Sequence, residues 1–170
     1  MKRIAILVEN LYDDFELYYP YYRLLEEGFE VDLVGVKKGA SYVSKHGLPA
    51  ITTHAVTDVD ALDYDGLVIP GGFSPDYMRR SKDIIDFVKA LDGLEKPIAS
   101  ICHGPWLMIS ACNIEGKRMT CYHSIKDDVI NAGALYVDEP VVVDANYVTS
   151  RTPKDLPVFV KTFIERVYKV

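Results

Sequence analysis

Lys96-Pro97-Ile98-Ala99-Ser100-Ile101-Cys102-His103-Gly104-Pro105 is the stretch from which the fold is read. Its apolar centre predicts a buried strand over 96–101. A helix from about Gly104 to Cys112 follows at once. Cys102 therefore stands where a buried strand turns sharply into a helix. A residue at such a turn is often forced into strained backbone, which lifts its side chain out of the turn. Gly104 permits the tight turn, and Pro105 suits the first turn of the helix.

Outward from this stretch the same alternation recurs. Ile4–Val8 is a continuous apolar run, as in a strand buried on both faces. Asp13 and Glu16 have capping-box spacing, and Leu17, Tyr21, Leu24 and Leu25 recur at helical intervals. Pro20 is expected to kink or break that helix, and Gly28 to end it. Glu30–Val36 is the next strand. Gly66-Leu67-Val68-Ile69 is another, running into Pro70-Gly71-Gly72. Ser74-Pro75 reads as an N-cap followed by Pro at the first helical position. Ser81 caps a helix carrying Ile84, Ile85, Val88 and Leu91, and Ser124 is placed to cap 125–131, with Gly133 at its C-cap. Val141–Asp144 and Tyr147–Ser150 read as a hairpin around Ala145-Asn146. Pro153–Tyr168 reads as an amphipathic helix. Strands alternating with helices predict an α/β fold, one domain over 1–170, with a mainly parallel sheet covered on both faces. In such sheets the ligand site lies beyond the carboxyl ends of the strands. That selects Glu9–Glu16, Pro70–Asp76 and Cys102–Pro105.

Composition narrows the partners. The 170 residues carry 19 Lys and Arg against 25 Asp and Glu, a net charge of −6. An acidic chain lacks the basic footprint of a nucleic-acid binder, and no polybasic segment is present to hold an anionic membrane. The apolar run at the N-terminus stops at Glu9, short of a signal-peptide core, and no stretch reaches the length of a membrane span. Three cysteines, an odd number, fit a reduced, cytoplasmic setting.

At Cys102 the adjacent helix N-terminus favours the thiolate, the nucleophilic form. Gly71 and Gly72 let backbone N–H groups approach a ligand, and the N–H groups of Gly72 and His103 can together hold an oxyanion. Cys112 and Cys121 fit buried, inert thiols. Glu16 has two readings, a capping-box partner of Asp13 or a carboxyl beside the sulfur. His103 is a catalytic or proton-shuttling candidate, although its side chain starts in a different direction from that of Cys102. His46 and His54 read as surface or turn residues, and His123 stays open. The His and Cys spacings match no zinc signature. Tyr18, Tyr19, Tyr21 and Tyr22 bracket Pro20 and read either as amphipathic filler or as an interface.

The chain resembles the PfpI-type intracellular proteases and the wider thiol family that includes the Parkinsonism-associated deglycase. The likeness rests on Glu16-Leu17-Tyr18-Tyr19-Pro20, Lys45-His46-Gly47, Ile69-Pro70-Gly71-Gly72, Ala99–Pro105, Ile125-Lys126-Asp127-Asp128 and Asn131-Ala132-Gly133. It implies a flavodoxin-like three-layer sandwich with a cysteine nucleophile elbow and no metal or organic cofactor. Residue by residue, it implies Cys102 as nucleophile, His103 as its histidine and Glu16 as a buried carboxyl on the sulfur. It also implies Gly72 and His103 as oxyanion donors, with Gly71 and Tyr122 lining the substrate site. An acidic residue from a neighbouring subunit is implied to orient the histidine. Asp76 matches that position, where the family pattern has Glu, and its missing methylene weakens the relay. The family also implies a homo-oligomer, a dimer or hexamer. Three functions of different class follow. One is a glyoxalase or deglycase acting on 2-oxoaldehydes and their adducts. One is a peptidase. The third is a redox-sensing or stress-protective protein whose Cys102 is oxidised without turnover.

Overall fold

The computed structural model describes all 170 residues. In chain order the elements are β1 (Arg3–Leu7), α1 (Asp14–Glu26), β2 (Glu30–Gly35), β3 (Ser41–Val43), β4 (Pro49–Ile51), β5 (His54–Ala55), β6 (Gly66–Ile69), α2 (Ser74–Met78) and α3 (Lys82–Gly93). They continue with β7 (Ile98–Ile101), α4 (Pro105–Ala111), β8 (Arg118–Met119), α5 (Lys126–Asn131), β9 (Leu135–Tyr136), β10 (Val141–Asp144), β11 (Tyr147–Ser150) and α6 (Leu156–Val167).

Seven strands form one sheet in the order β10-β11-β7-β6-β1-β2-β5. Every neighbouring pair is parallel except the β10–β11 hairpin. The period of two along a strand shares its side chains between two cores. From β1, Ile4 and Ile6 go to the layer of α1 and α6, beside Leu17, Leu24, Phe159 and Phe163. Ala5 and Leu7 go to the layer of α3 and α4, beside Ile84, Val88 and Leu107. Leu67 and Ile69 of β6 repeat the second choice, and Val68 the first. The result is the expected flavodoxin-like three-layer α/β sandwich. From β1 the chain steps outward to β2 on one side, then returns to place β6 on the other. That reversal opens a crevice at the carboxyl ends of β1 and β6, next to the end of β7.

Local chemistry explains most boundaries. The Asp13 carboxylate accepts the N–H groups of Phe15 (3.0 Å) and Glu16 (3.2 Å) and starts α1. Gly28 (φ +85°) ends it, with Phe29 N–H donating to Leu24 carbonyl and Gly28 N–H to Leu25 carbonyl. Pro20 neither breaks nor interrupts α1. It lies on the buried side with Leu17 and Leu24, where packing compensates one lost hydrogen bond. Two proposed caps are corrected. Ser74 lies inside α2, and its hydroxyl donates to Gly71 carbonyl at 2.8 Å. Ser124 lies in a 3-10 turn ahead of α5 and makes no cap; its hydroxyl instead faces His103. The strand read to Val36 ends at Gly35. The short strands β3, β4, β8 and β9, which form two separate two-stranded sheets, were not expected.

Tyr18 of α1 and Tyr12, just ahead of the helix, have a structural role that neither reading named. Tyr12 and Tyr18 donate their hydroxyls to the carbonyls of Leu48 (2.6 Å) and Pro49 (2.8 Å). They anchor the β3–β4 hairpin onto the start of the helix. Tyr21 and Tyr22 pack around Tyr18. No helix is long and apolar enough to cross a membrane.

Candidate active site

Cys102 adopts φ +61°, in the left-handed region that a side chain ordinarily avoids. The elbow is held from both sides. Cys102 N–H donates to Ser150 carbonyl on β11 (3.1 Å), and its own carbonyl accepts Tyr122 N–H (2.9 Å). Strain of this kind persists only where surrounding structure over-determines it. The expected sharp elbow between β7 and α4 is present, with Cys102 at its apex.

Three turns converge on the sulfur. From the turn after β6, Gly72 N–H donates to it, as does the N–H of His103. Gly72 has φ +67°, and a Cβ there would strike Leu11 carbonyl and Asp13 amide, so only glycine fits. From the start of α1, Glu16 is wholly buried and its carboxyl lies against Cys102. Its Oε2 accepts Gly71 N–H at 2.7 Å, while Oε1 has no hydrogen-bond partner. The capping-box reading of Glu16 thus holds only for Asp13, which caps; the Glu16 side chain turns inward instead.

His103 comes closer to the sulfur than its position in sequence suggested. Its Nδ1 is 3.2 Å from Cys102 Sγ, and its Nε2 is 3.4 Å from Ser124 Oγ. With the thiol as donor, Nδ1 accepts from it and Nε2–H is left to face Ser124 Oγ. Tyr122 stacks on the imidazole with centroids 5.2 Å apart, and Trp106 meets it edge-on at 4.8 Å.

Burial dominates the electrostatics. It pushes the Glu16 carboxyl up to about 8, with the charge of Asp13 adding to it, so Glu16 is protonated at neutral pH. Burial also pushes the Cys102 thiol well above its ordinary range, the nearby Glu16 adds to this, and the two N–H groups pull it back. Burial thus opposes the thiolate that the helix terminus alone favours. The α4 helix is seven residues long, and its N-terminus is outweighed by desolvation. His103 is pushed below its usual value by burial first and then by the charge of Lys45, so it is a neutral acceptor.

Cys102, His103, Glu16, Gly72 and Tyr122 all line one cleft of about 380 Å3, with Gly71 directly behind Glu16. Asp76 lies outside it. On α2, Asp76 pairs with Arg80 Nε at 3.1 Å and does not approach His103 within this chain. His123 is exposed, tilted against Tyr122, and does not line the cleft. His46 is exposed and pairs with Asp14. His54 departs from the surface reading: it is half-buried, 3.3 Å from the buried Asp32. Lys45 and Pro153 line the cleft from outside the three expected turns. Lys45, from the β3–β4 turn, places its ammonium 2.6 Å from Asp13. The signal was a lysine within a family-like Lys-His-Gly turn.

Residues 2–166 match the DJ-1/PfpI family. A deglycase of Pyrococcus abyssi is 43 % identical over 163 residues, covering 96 % of this chain and 98 % of that protein. YraA of Bacillus subtilis, whose name marks it as a candidate cysteine protease, is 44 % identical over 158 residues, 93 % of this chain and 94 % of that one. Among solved structures, a two-domain Anabaena variabilis protein with DJ-1/ThiJ/PfpI-like and ferritin-like domains superposes with a TM-score of 0.96 at 38 % identity. The match covers 99 % of this chain and 48 % of that one. Drosophila melanogaster DJ-1beta gives a TM-score of 0.89 at 25 % identity, over 99 % and 94 % of the two chains.

Proposed function

We propose that this chain, which belongs to the DJ-1/PfpI family, is a cysteine-dependent, cofactor-independent glyoxalase and deglycase. It converts 2-oxoaldehydes to 2-hydroxy acids and releases their early adducts. The observation that carries this reading is His103 Nδ1 at 3.2 Å from Cys102 Sγ, with the buried Glu16 carboxyl against the same sulfur.

The steps use only these groups. His103 accepts the thiol proton as the sulfur bonds to the aldehyde carbon of methylglyoxal. The N–H groups of Gly72 and His103 hold the oxygen that becomes negative, and its protonation gives a hemithioacetal. A proton then moves from the sulfur-bearing carbon to the neighbouring carbonyl carbon, through an enediol, with Glu16 or His103 carrying it. The product is a thioester, an isomer of the hemithioacetal. Water cleaves it, giving lactate and the free thiol. A cleft of about 380 Å3 suits so small a substrate.

The relative named deglycase supports this reading, and the candidate protease name of YraA favours a second one, peptide hydrolysis. That chemistry needs an acid to orient His103, and Asp76 is held by Arg80 in this chain. A homo-oligomer would have to bring an acid from another subunit. Cleavage of peptides that disappears in Asp76→Ala would favour it.

The deciding measurement is lactate release from methylglyoxal by freshly reduced protein, wild type beside Cys102→Ala. We expect at least a 1,000-fold loss in the variant, on the order of removing a nucleophile. No release from folded, reduced wild type would sink the proposal. Selective oxidation of Cys102 by low peroxide, with no turnover, would then point to a redox role.

A further inference from the structure

We propose that Lys45 is the specificity-determining residue of the cleft, receiving the carboxylate of an anionic 2-oxoaldehyde or adduct while Cys102 takes the carbonyl carbon. The proposal rests on the carbonyl reading of the site and names its substrate class.

Lys45 is the only cation that lines the cleft. Its ammonium carries three N–H donors and has one partner, Asp13. Two donors are left for a ligand. The charge is not on a loose loop. Lys45 N–H donates to Tyr12 carbonyl at 3.0 Å. Either side of it, Ser44 Oγ donates to Asp14 at 2.7 Å, and Tyr12 OH donates to Leu48 carbonyl at 2.6 Å. Asp13 is itself fixed by the two N–H groups it caps. A lysine stem is costly to order, and a cation already held in place loses less freedom when it binds.

Of the two acids that line the cleft, Asp13 is already paired with Lys45 and Glu16 does not oppose an anion there. Glu16 is protonated at neutral pH and so offers no competing negative charge. Its carboxyl is occupied by Gly71 N–H and the Cys102 sulfur and is not in contact with the ammonium. A Lys45 that served only to neutralise Asp13 would not need to project into the same cleft as the nucleophile.

The probe is 4,5-dioxopentanoate, a 2-oxoaldehyde with a carboxylate tail, against its methyl ester. Isomerisation and hydrolysis by the steps above turn the acid into 2-hydroxyglutarate. We expect wild type to favour the acid about tenfold in kcat/KM, and this preference to weaken as salt rises. Lys45→Met should abolish the preference, and Lys45→Arg should keep most of it. A preference unchanged in Lys45→Met, or absent from wild type, overturns the assignment. A separate readout needs no turnover. 2-Hydroxyglutarate should protect Cys102 from iodoacetamide in wild type and not in Lys45→Met. Protection without turnover of any 2-oxoaldehyde would overturn the proposed function and leave Lys45 as an anion site. Turnover with equal protection in both proteins would overturn the Lys45 assignment alone.

Discussion

Two helices begin at the same edge of the sheet, and each carries an acidic residue singled out for the site. On α1, Glu16 is wholly buried, bound to Gly71 N–H and pressed against the sulfur. On α2, Asp76 is partly exposed and spends its carboxylate on Arg80 one turn away. Chemically the two are near equals. They differ in where the chain leaves the sheet. The turn after β1 carries α1 over the crevice beside the elbow. The Gly71-Gly72 turn reaches the sulfur with its backbone, so its helix starts beyond the cleft. A carboxyl in the first case is forced into the acid form at neutral pH; in the second it makes an ordinary ion pair.

The contrast can be broken most directly through stability. The Glu16 carboxyl titrates near 4.5 when unfolded and at about 8 when folded. Between those values the folded protein binds more protons, so the stability that Glu16 contributes at low pH is lost as pH rises through 8. Glu16→Gln removes that loss. Relative to wild type, the variant should gain about 5 kcal/mol between pH 4 and pH 9, seen in urea melts. A constant difference across that range would show that Glu16 is not a buried acid. Turnover gives the next largest effect. Glu16→Gln should lower kcat for methylglyoxal about 100-fold, as for loss of a proton carrier. Wild-type activity should fall above about pH 8 as Glu16 ionises, and fall in acid as the lowered His103 charges. The variant should lose the alkaline fall and keep the acid one. Asp76→Ala sits at the other end. It removes a partly exposed pair between residues one turn apart, about 0.5 kcal/mol of stability, and should change methylglyoxal turnover less than threefold. A hundredfold loss there would erase the contrast between the two helices.

The sequence made the elbow legible because a continuous apolar strand, a cysteine and a Gly-Pro pair lie within ten residues. The β10–β11 hairpin and α6 were legible for the same reason, as strong local patterns. What escaped has a common cause. Strands β3, β4, β8 and β9 are two or three residues long, too short for a period to show. Ser74 and Ser124 look like caps, yet the Ser74 hydroxyl turns back to the carbonyl of Gly71, three residues earlier, and the Ser124 hydroxyl faces the distant His103. The approach of His103 to the sulfur depends on a rotamer packed between Trp106 on the next helical turn and Tyr122 from elsewhere in the chain. The loop that holds Lys45 carries no local pattern, and Tyr12 and Asp13 bring it over the cleft only in the fold. The burial of the thiol, which acts against the short helix, is not written in the local sequence.

The pinning of Cys102 between Ser150 and Tyr122 reaches beyond geometry. Turns at the mouth of a cleft are usually the first regions of a protein to open. This one is spliced into the middle of the sheet, because its amide bonds to β11 where β11 pairs with β7. To relax its backbone, the chain would have to separate adjacent central strands. The elbow therefore has no local breathing mode of its own, and its opening belongs to the same cooperative unit as the core. The Cys102 sulfur is in this sense a core position that happens to face a cleft.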